Sequence, residues 1–236
     1  MTGSKNSPRS YRVNFSGKEL YDTVYVTANP QLYRIENGIY DIDPINVEVH
    51  AQIDVWQDQW DDDHRTVMPD VVTEAALDAA ERYPDKRLIV HYLQPHAPYV
   101  GPTGVNELPT EYLNFWQSFR DGKFDVSLDT AIRAYRENVE LVLPHVSTLL
   151  SEFQGKTVVS ADHGELLGER DSPIPIRRFG HLTDRYLPPL IEVPWLVYER
   201  PPRREIVSEV PVQQSDEESY DSEELKQRLR DLGYAE

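Results

Sequence analysis

The sequence predicts an α/β domain in which a mostly parallel sheet carries helices on both faces. Three observations lead there. Apolar runs of strand length alternate along the chain with segments of helical periodicity. Two of those runs, Leu88-Ile89-Val90 and Thr157-Val158-Val159, pass directly into loops that carry histidine and aspartate. Finally, 236 residues suffice to bury one sizeable core, so one large domain, or one domain with an appendage, is expected.

Asp22-Thr23-Val24-Tyr25-Val26-Thr27-Ala28 reads as the first strand of the chain, since β-branched and aromatic residues dominate it and Asn29-Pro30 ends it. The acidic, tryptophan-bearing stretch from Asp54 to His64 reads as a surface excursion. From Pro69 to Tyr83, Val72, Ala75, Ala76, Ala79 and Tyr83 recur at helical spacing, with Pro84 as the stop. That helix delivers the chain into the strand at Leu88.

Residues 127 to 153 form the longest periodic segment. Ile132, Tyr135, Val139, Val142, Val146, Leu149 and Phe153 share one stripe, Pro144 should kink the helix, and Gly155 is its expected stop before the strand at Thr157. Val193 to Tyr198 is a further strand-like run. Residues 1–200 are therefore assigned to the α/β domain and 201–236 to an acidic linker with a short helix. That helix, near Glu223 to Leu232, offers Leu225, Leu229 and Leu232 for docking.

Composition narrows the function. There are 41 acidic and 24 basic side chains, a net charge of -17, and Arg outnumbers Lys by 18 to 6. Such a surface repels nucleic acid and anionic membranes. The excess of acid with scarce Lys also resembles a halophilic composition, in which carboxylates keep the surface hydrated in concentrated salt. With no cysteine, disulfides, thiolate metal sites and a cysteine nucleophile are excluded, so any metal must be held by O and N ligands. No apolar run reaches membrane-spanning length, and the amino-terminal residues show no signal-peptide pattern; the expectation is a cytoplasmic protein.

The polar chemistry collects at strand ends. Ser160-Ala161-Asp162-His163-Gly164-Glu165 closes one apolar run, and Asp162 with His163 suits a divalent metal, because carboxylate oxygen and neutral imidazole together bind Zn, Mn or Mg. A helix N-cap Asp beside an incidental His is the plain alternative. His91 ends another run and His96 follows between Pro95 and Pro98; in open α/β sheets ligands bind beyond the carboxyl ends of parallel strands, so both loops point to one cleft. His91 also fits a hydrogen-bonded, half-buried structural histidine. His181 follows Gly180, where glycine permits close backbone approach to a ligand. His50, His64 and His145 lack such context.

Three blocks, His91 to Tyr99, Val159 to Glu169, and Gly180-His181 followed by Val193 to Val197, resemble successive blocks of the sulfatase-like branch of the alkaline phosphatase superfamily. Leu232-Gly233-Tyr234 is similar to the end of many such chains. The resemblance implies metal-assisted hydrolysis or transfer of a sulfate or phosphate ester, on a small-molecule or glycan substrate. It implies that Asp162 and His163 bind the divalent metal (Ca, Mg, Mn or Zn). His96 and His181 would contact the transferring group or a second ion, and His91 would join them as a substrate-binding residue.

The chain departs from the family pattern at its start. Members open with an apolar strand that ends in metal-binding Asp, followed by a nucleophile; this chain opens with polar residues. The expectation is a sulfatase-like domain lacking that strand, through a late start or a truncation, with Ser7 as a weak nucleophile candidate. Leu182 stands where sulfatases often carry lysine. Two alternatives stay open: a catalytically degenerate relative that binds an anion or a partner protein, and a phosphotransferase or phosphodiesterase of the same superfamily.

Overall fold

A computed structural model describes residues 14–39, 43–109, 114–170, 173–181, 187–211 and 222–232. Ser7, Leu182, Gly233 and Tyr234 lie outside them. The first strand, β1 (Glu19–Thr27), is the centre of a three-stranded parallel sheet, flanked by β2 (Glu48–Asp54) and β3 (Arg87–His91). Its register aligns Thr27 with both Asp54 and His91, so the three carboxyl ends share one edge of the sheet.

Strand alternation sends successive β1 side chains to opposite faces. Val24 and Val26 enter a cluster with Val72 and Ala79 of α3 (Pro69–Arg82), whereas Tyr25 enters a second cluster with Leu32 and Ile35 of α1 (Gln31–Glu36). Helices thus cover both faces of this small sheet. Pro69 opens α3 at its first turn, where its missing N–H costs nothing, and Tyr83 caps it before Pro84.

Among the described residues parallel pairing stops at three strands. The run that leaves Gly155, β4 (Gly155–Ser160), pairs antiparallel with β7 (Trp195–Arg200), and β5 (Leu166–Arg170) pairs antiparallel with β6 (Arg177–Gly180). The architecture is mixed α/β: a parallel sheet, two antiparallel pairs and helices. Between β3 and β4 run α4 (Pro102–Glu107), α5 (Phe115–Arg120) and the long α6 (Leu128–Glu152). Ser127 caps α6 by accepting the Thr130 N–H at 3.1 Å, and the helix runs on through Pro144 to Glu152. A short α7 (Pro188–Ile191) precedes β7.

One expectation needs correction, and the acidic stretch from Gln213 to Asp221 lies outside the described residues. Trp56, in α2 (Val55–Asp58), is 1 % exposed and sits in the main cluster; burying its indole outweighs the acidic residues that flank it, so the stretch from Asp54 is not a surface excursion throughout. The segment after Glu199 is tied to the body: Arg204 donates to the Tyr83 and Pro84 carbonyls at 2.8 and 2.7 Å, and the Val207 N–H donates to Asp85 at 2.9 Å. The closing helix α8 (Ser222–Asp231) docks as its leucines suggest, with Leu225, Leu229 and Leu232 buried in the cluster that holds Trp56. Arg228 adds hydrogen bonds to the Trp56 and Gln57 carbonyls. No helix among the described residues is long and apolar enough to cross a membrane.

Glu36 makes stability depend on pH. Burial first, and then the charge of Asp54 at the end of β2, push its carboxyl up to about 7, against the pull of hydrogen bonds from Gln52 and Val47. A folded-state pKa raised above the unfolded one favours the fold fully below about pH 4.5, and that contribution is lost as pH rises through 7. Glu36 is partly open to solvent, which reduces the effect to about 1–2 kcal/mol. Glu36→Gln should therefore match the parent chain near pH 4 and exceed its stability at pH 8. Thermal unfolding at both pH values checks this; a difference that does not change with pH would contradict it.

Candidate active site

The backbone brings three loops together. β3 delivers His91, whose Nδ1 lies 2.7 Å from the Tyr25 hydroxyl in a hydrogen bond. The following turn is closed by the His96 N–H donating to the Leu93 carbonyl at 3.0 Å, and Gln94 is buried with its amide donating to the Val67 carbonyl at 3.0 Å. Asn138, fully buried on α6, then clamps this turn: its amide donates to the His96 and Pro98 carbonyls at 3.2 and 3.0 Å and accepts the Val100 N–H at 2.9 Å. A polar residue in a helix stripe is satisfied by the loop it holds.

β4 delivers the second loop. Gly164 presses its backbone against α7, its N–H donating to the Leu190 carbonyl at 3.0 Å, and a Cβ there would stand 1.9 Å from the Pro189 oxygen, so only glycine fits. The third loop comes from the β5–β6 pair, whose register sets Leu166 against Gly180 and so brings Glu165 and His181 side by side at its end. Behind them Phe179 stacks on Trp116 at 6.0 Å within an aromatic cluster that also includes Tyr99 and Phe115. Gly180 has φ +75° and Trp116 Cβ would lie 3.3 Å from an added Cβ.

The outcome is a cluster of His163, Glu165 and His181, whose ligand atoms lie within 4.8 Å of one another. The rings of His163 and His181 are 4.7 Å apart, and both carboxylate oxygens of Glu165 are 3.4 Å from His181 Nδ1. Glu165 and His181 are 14 % and 18 % exposed. Asp162 lies at the rim, its Oδ2 3.8 Å from His163 Nε2 and its side chain 46 % exposed. The structure therefore places Asp162 next to the cluster and adds Glu165, which sequence reasoning did not single out.

Each histidine is oriented from behind. His163 Nδ1 donates to the Gly164 carbonyl at 2.9 Å and His96 Nδ1 donates to the Ala97 carbonyl, which leaves the lone pair of both rings on Nε2. Burial lowers the pKa of His91 and of His96, and for His96 the nearby His181 and His163 act in the same direction, opposed by the Ala97 carbonyl and Glu165. At His181 burial also opposes the charge, but the hydrogen bond and charge of Glu165, with Asp162, outweigh it and raise the pKa. Tyr135 of α6 stays neutral, pushed up to about 12 by burial and by Glu165.

His91, His96, Asp162, His163 and His181 thus meet around one centre at the carboxyl ends of β3 and β4. His50 lies elsewhere, its Nδ1 donating to the Glu209 carbonyl at 3.1 Å. No family model matches the chain, and neither a curated protein nor a solved structure matches it.

Proposed function

We propose that this chain is a metal-dependent hydrolase of sulfate or phosphate esters, with a small-molecule or glycan ester as substrate. The observation that carries the reading is the orientation of the histidines: a metal-binding imidazole generally donates its other N–H to a carbonyl or carboxylate, as His163 and His181 do here. Two imidazoles with neighbouring carboxylates and no thiolate form a set suited to Zn or Mn, and Mg or Ca would lean on Glu165 and Asp162.

A bound divalent ion would stabilise negative charge on the ester oxygens. Glu165 holds His181 in place, and Gly164 fixes the tautomer of His163. His96, steadied by Asn138, faces the same centre and would orient or hydrogen-bond the transferring group. The half-exposed Asp162 marks the open side of the site.

An assay with an aryl sulfate, an aryl phosphate and an aryl phosphodiester, each with Mn or Zn, tests this. Turnover of at least one, abolished by chelation, is expected. Inactivity of the folded, metal-loaded chain towards all three would favour the anion-binding relative instead.

A further inference from the structure

Where the stripe of α6 lines a cavity of about 910 Å³, one of its side chains carries a polar group, the hydroxyl of Tyr135. His96, Asp162, His163, Glu165 and His181 line the same cavity, so the phenol and the cluster open onto one space. Tyr135 is half-buried, and Glu165 is near enough to act on it electrostatically. Among the described residues no group hydrogen-bonds to its hydroxyl, although a tyrosine hydroxyl drawn into a protein usually finds a partner.

The ring is held from two directions. Tyr99, buried against Phe115 and Trp116 at 5.0 and 6.5 Å, meets it edge-on at 6.4 Å with the ring planes 74° apart. One helical turn further on, Asn138 is fastened to the His96 and Pro98 carbonyls, which ties this stretch of α6 to the turn that carries His96. Val139, the next member of the stripe, is apolar and offers no second donor. A phenol O–H placed in this way is a preset donor, and its strongest acceptor is an anionic oxygen.

We propose that Tyr135 is a further substrate-contacting residue, whose O–H donates to an oxygen of the sulfuryl or phosphoryl group bound at the centre formed by His163, Glu165 and His181. The inference rests on the reading of that cluster as an ester-hydrolysing metal site. The hydrogen bond persists as negative charge builds on the transferring group, so it supports binding of the free anion as well as turnover.

The probes are inorganic phosphate and inorganic sulfate, titrated into the Mn-loaded full chain. The parent should bind at least one of them at a single site, and Tyr135→Phe should bind it about tenfold more weakly or worse. Mn affinity and the thermal midpoint should stay those of the parent, because the oxygen removed has no partner among the described residues. The kcat/KM for an ester that the parent hydrolyses should fall by a similar factor. Equal anion affinity in the two chains would overturn the proposal, as would a parent that binds neither anion, or a fall in thermal midpoint with anion affinity unchanged. Should Tyr135→Phe not fold, the parent labelled with carbon-13 at tyrosine Cζ decides: a tyrosine resonance must move with the anion at the calorimetric affinity, and unmoved tyrosine resonances would overturn the proposal. Weaker anion binding by the variant, with no ester turned over by the parent, would keep the Tyr135 contact and reject the hydrolase. Ester turnover and anion binding that are equal in both chains would keep the hydrolase and reject the contact.

Discussion

His181→Ala is expected to lower metal-dependent ester turnover by roughly 10²-fold or more, the usual loss when a positioned charge-stabilising group is removed. The cause is specific to the geometry. His181 shares the centre with His163, 4.7 Å away between rings, and its partner Glu165 would lose the imidazole that it now flanks. His163→Ala should cost at least as much, because its Nε2 is held towards Asp162 by the bond from Nδ1 to Gly164. His50→Ala serves as the control, since that ring bonds the Glu209 carbonyl far along the chain, and its turnover should stay within about twofold. Rates for the three variants, each checked for folding, distinguish the cluster from a general loss of structure; equal rates in all three would contradict the assignment.

Trp56→Ala is expected to destabilise the fold by about 3–5 kcal/mol, a large share of the roughly 5–15 kcal/mol that holds a domain of this kind together. Trp56 is 1 % exposed, meets Tyr33 edge-on at 5.5 Å, and lies in the cluster shared by β1, α3 and α8. Losing it leaves a cavity beneath three elements at once. Trp60, only partly buried and touched by Arg228 at 5.7 Å, should cost clearly less. Urea unfolding of both variants checks the order. A smaller loss for Trp56→Ala than for Trp60→Ala would mean that the tail helix does not close over Trp56.

Period and punctuation made much of the scaffold legible. β1 announces itself by the β-branched run before Asn29-Pro30, α3 by Val72, Ala76 and Ala79 between Pro69 and Pro84, and α8 by Leu225, Leu229 and Leu232 in an otherwise polar tail. Trp56 was hidden because its neighbours are acidic, and local charge says nothing about which large apolar side chain turns inward. The stripe on α6 was legible as a stripe, but not that it lines a cavity, which depends on how β3 and β4 pair.

The site divides in the same way. Asp162, His163, His96 and His181 stand at the ends of strands, where side chains converge by topology, and the sequence marks those ends. Glu165 enters through the register of β5 against β6, which no local pattern encodes. Asn138 enters because a buried amide on α6 satisfies the turn carrying His96; the one signal for it is a lone asparagine between apolar positions 135 and 142.

Calorimetric titration of Zn and of Mn into the purified chain tests the central claim most directly. One saturable site is expected in the parent chain, weakened at least tenfold by Glu165→Gln and lost when His163→Ala and His181→Ala are combined. The same affinity in the parent and in the double variant would show that the cluster is not a metal site and would contradict the account.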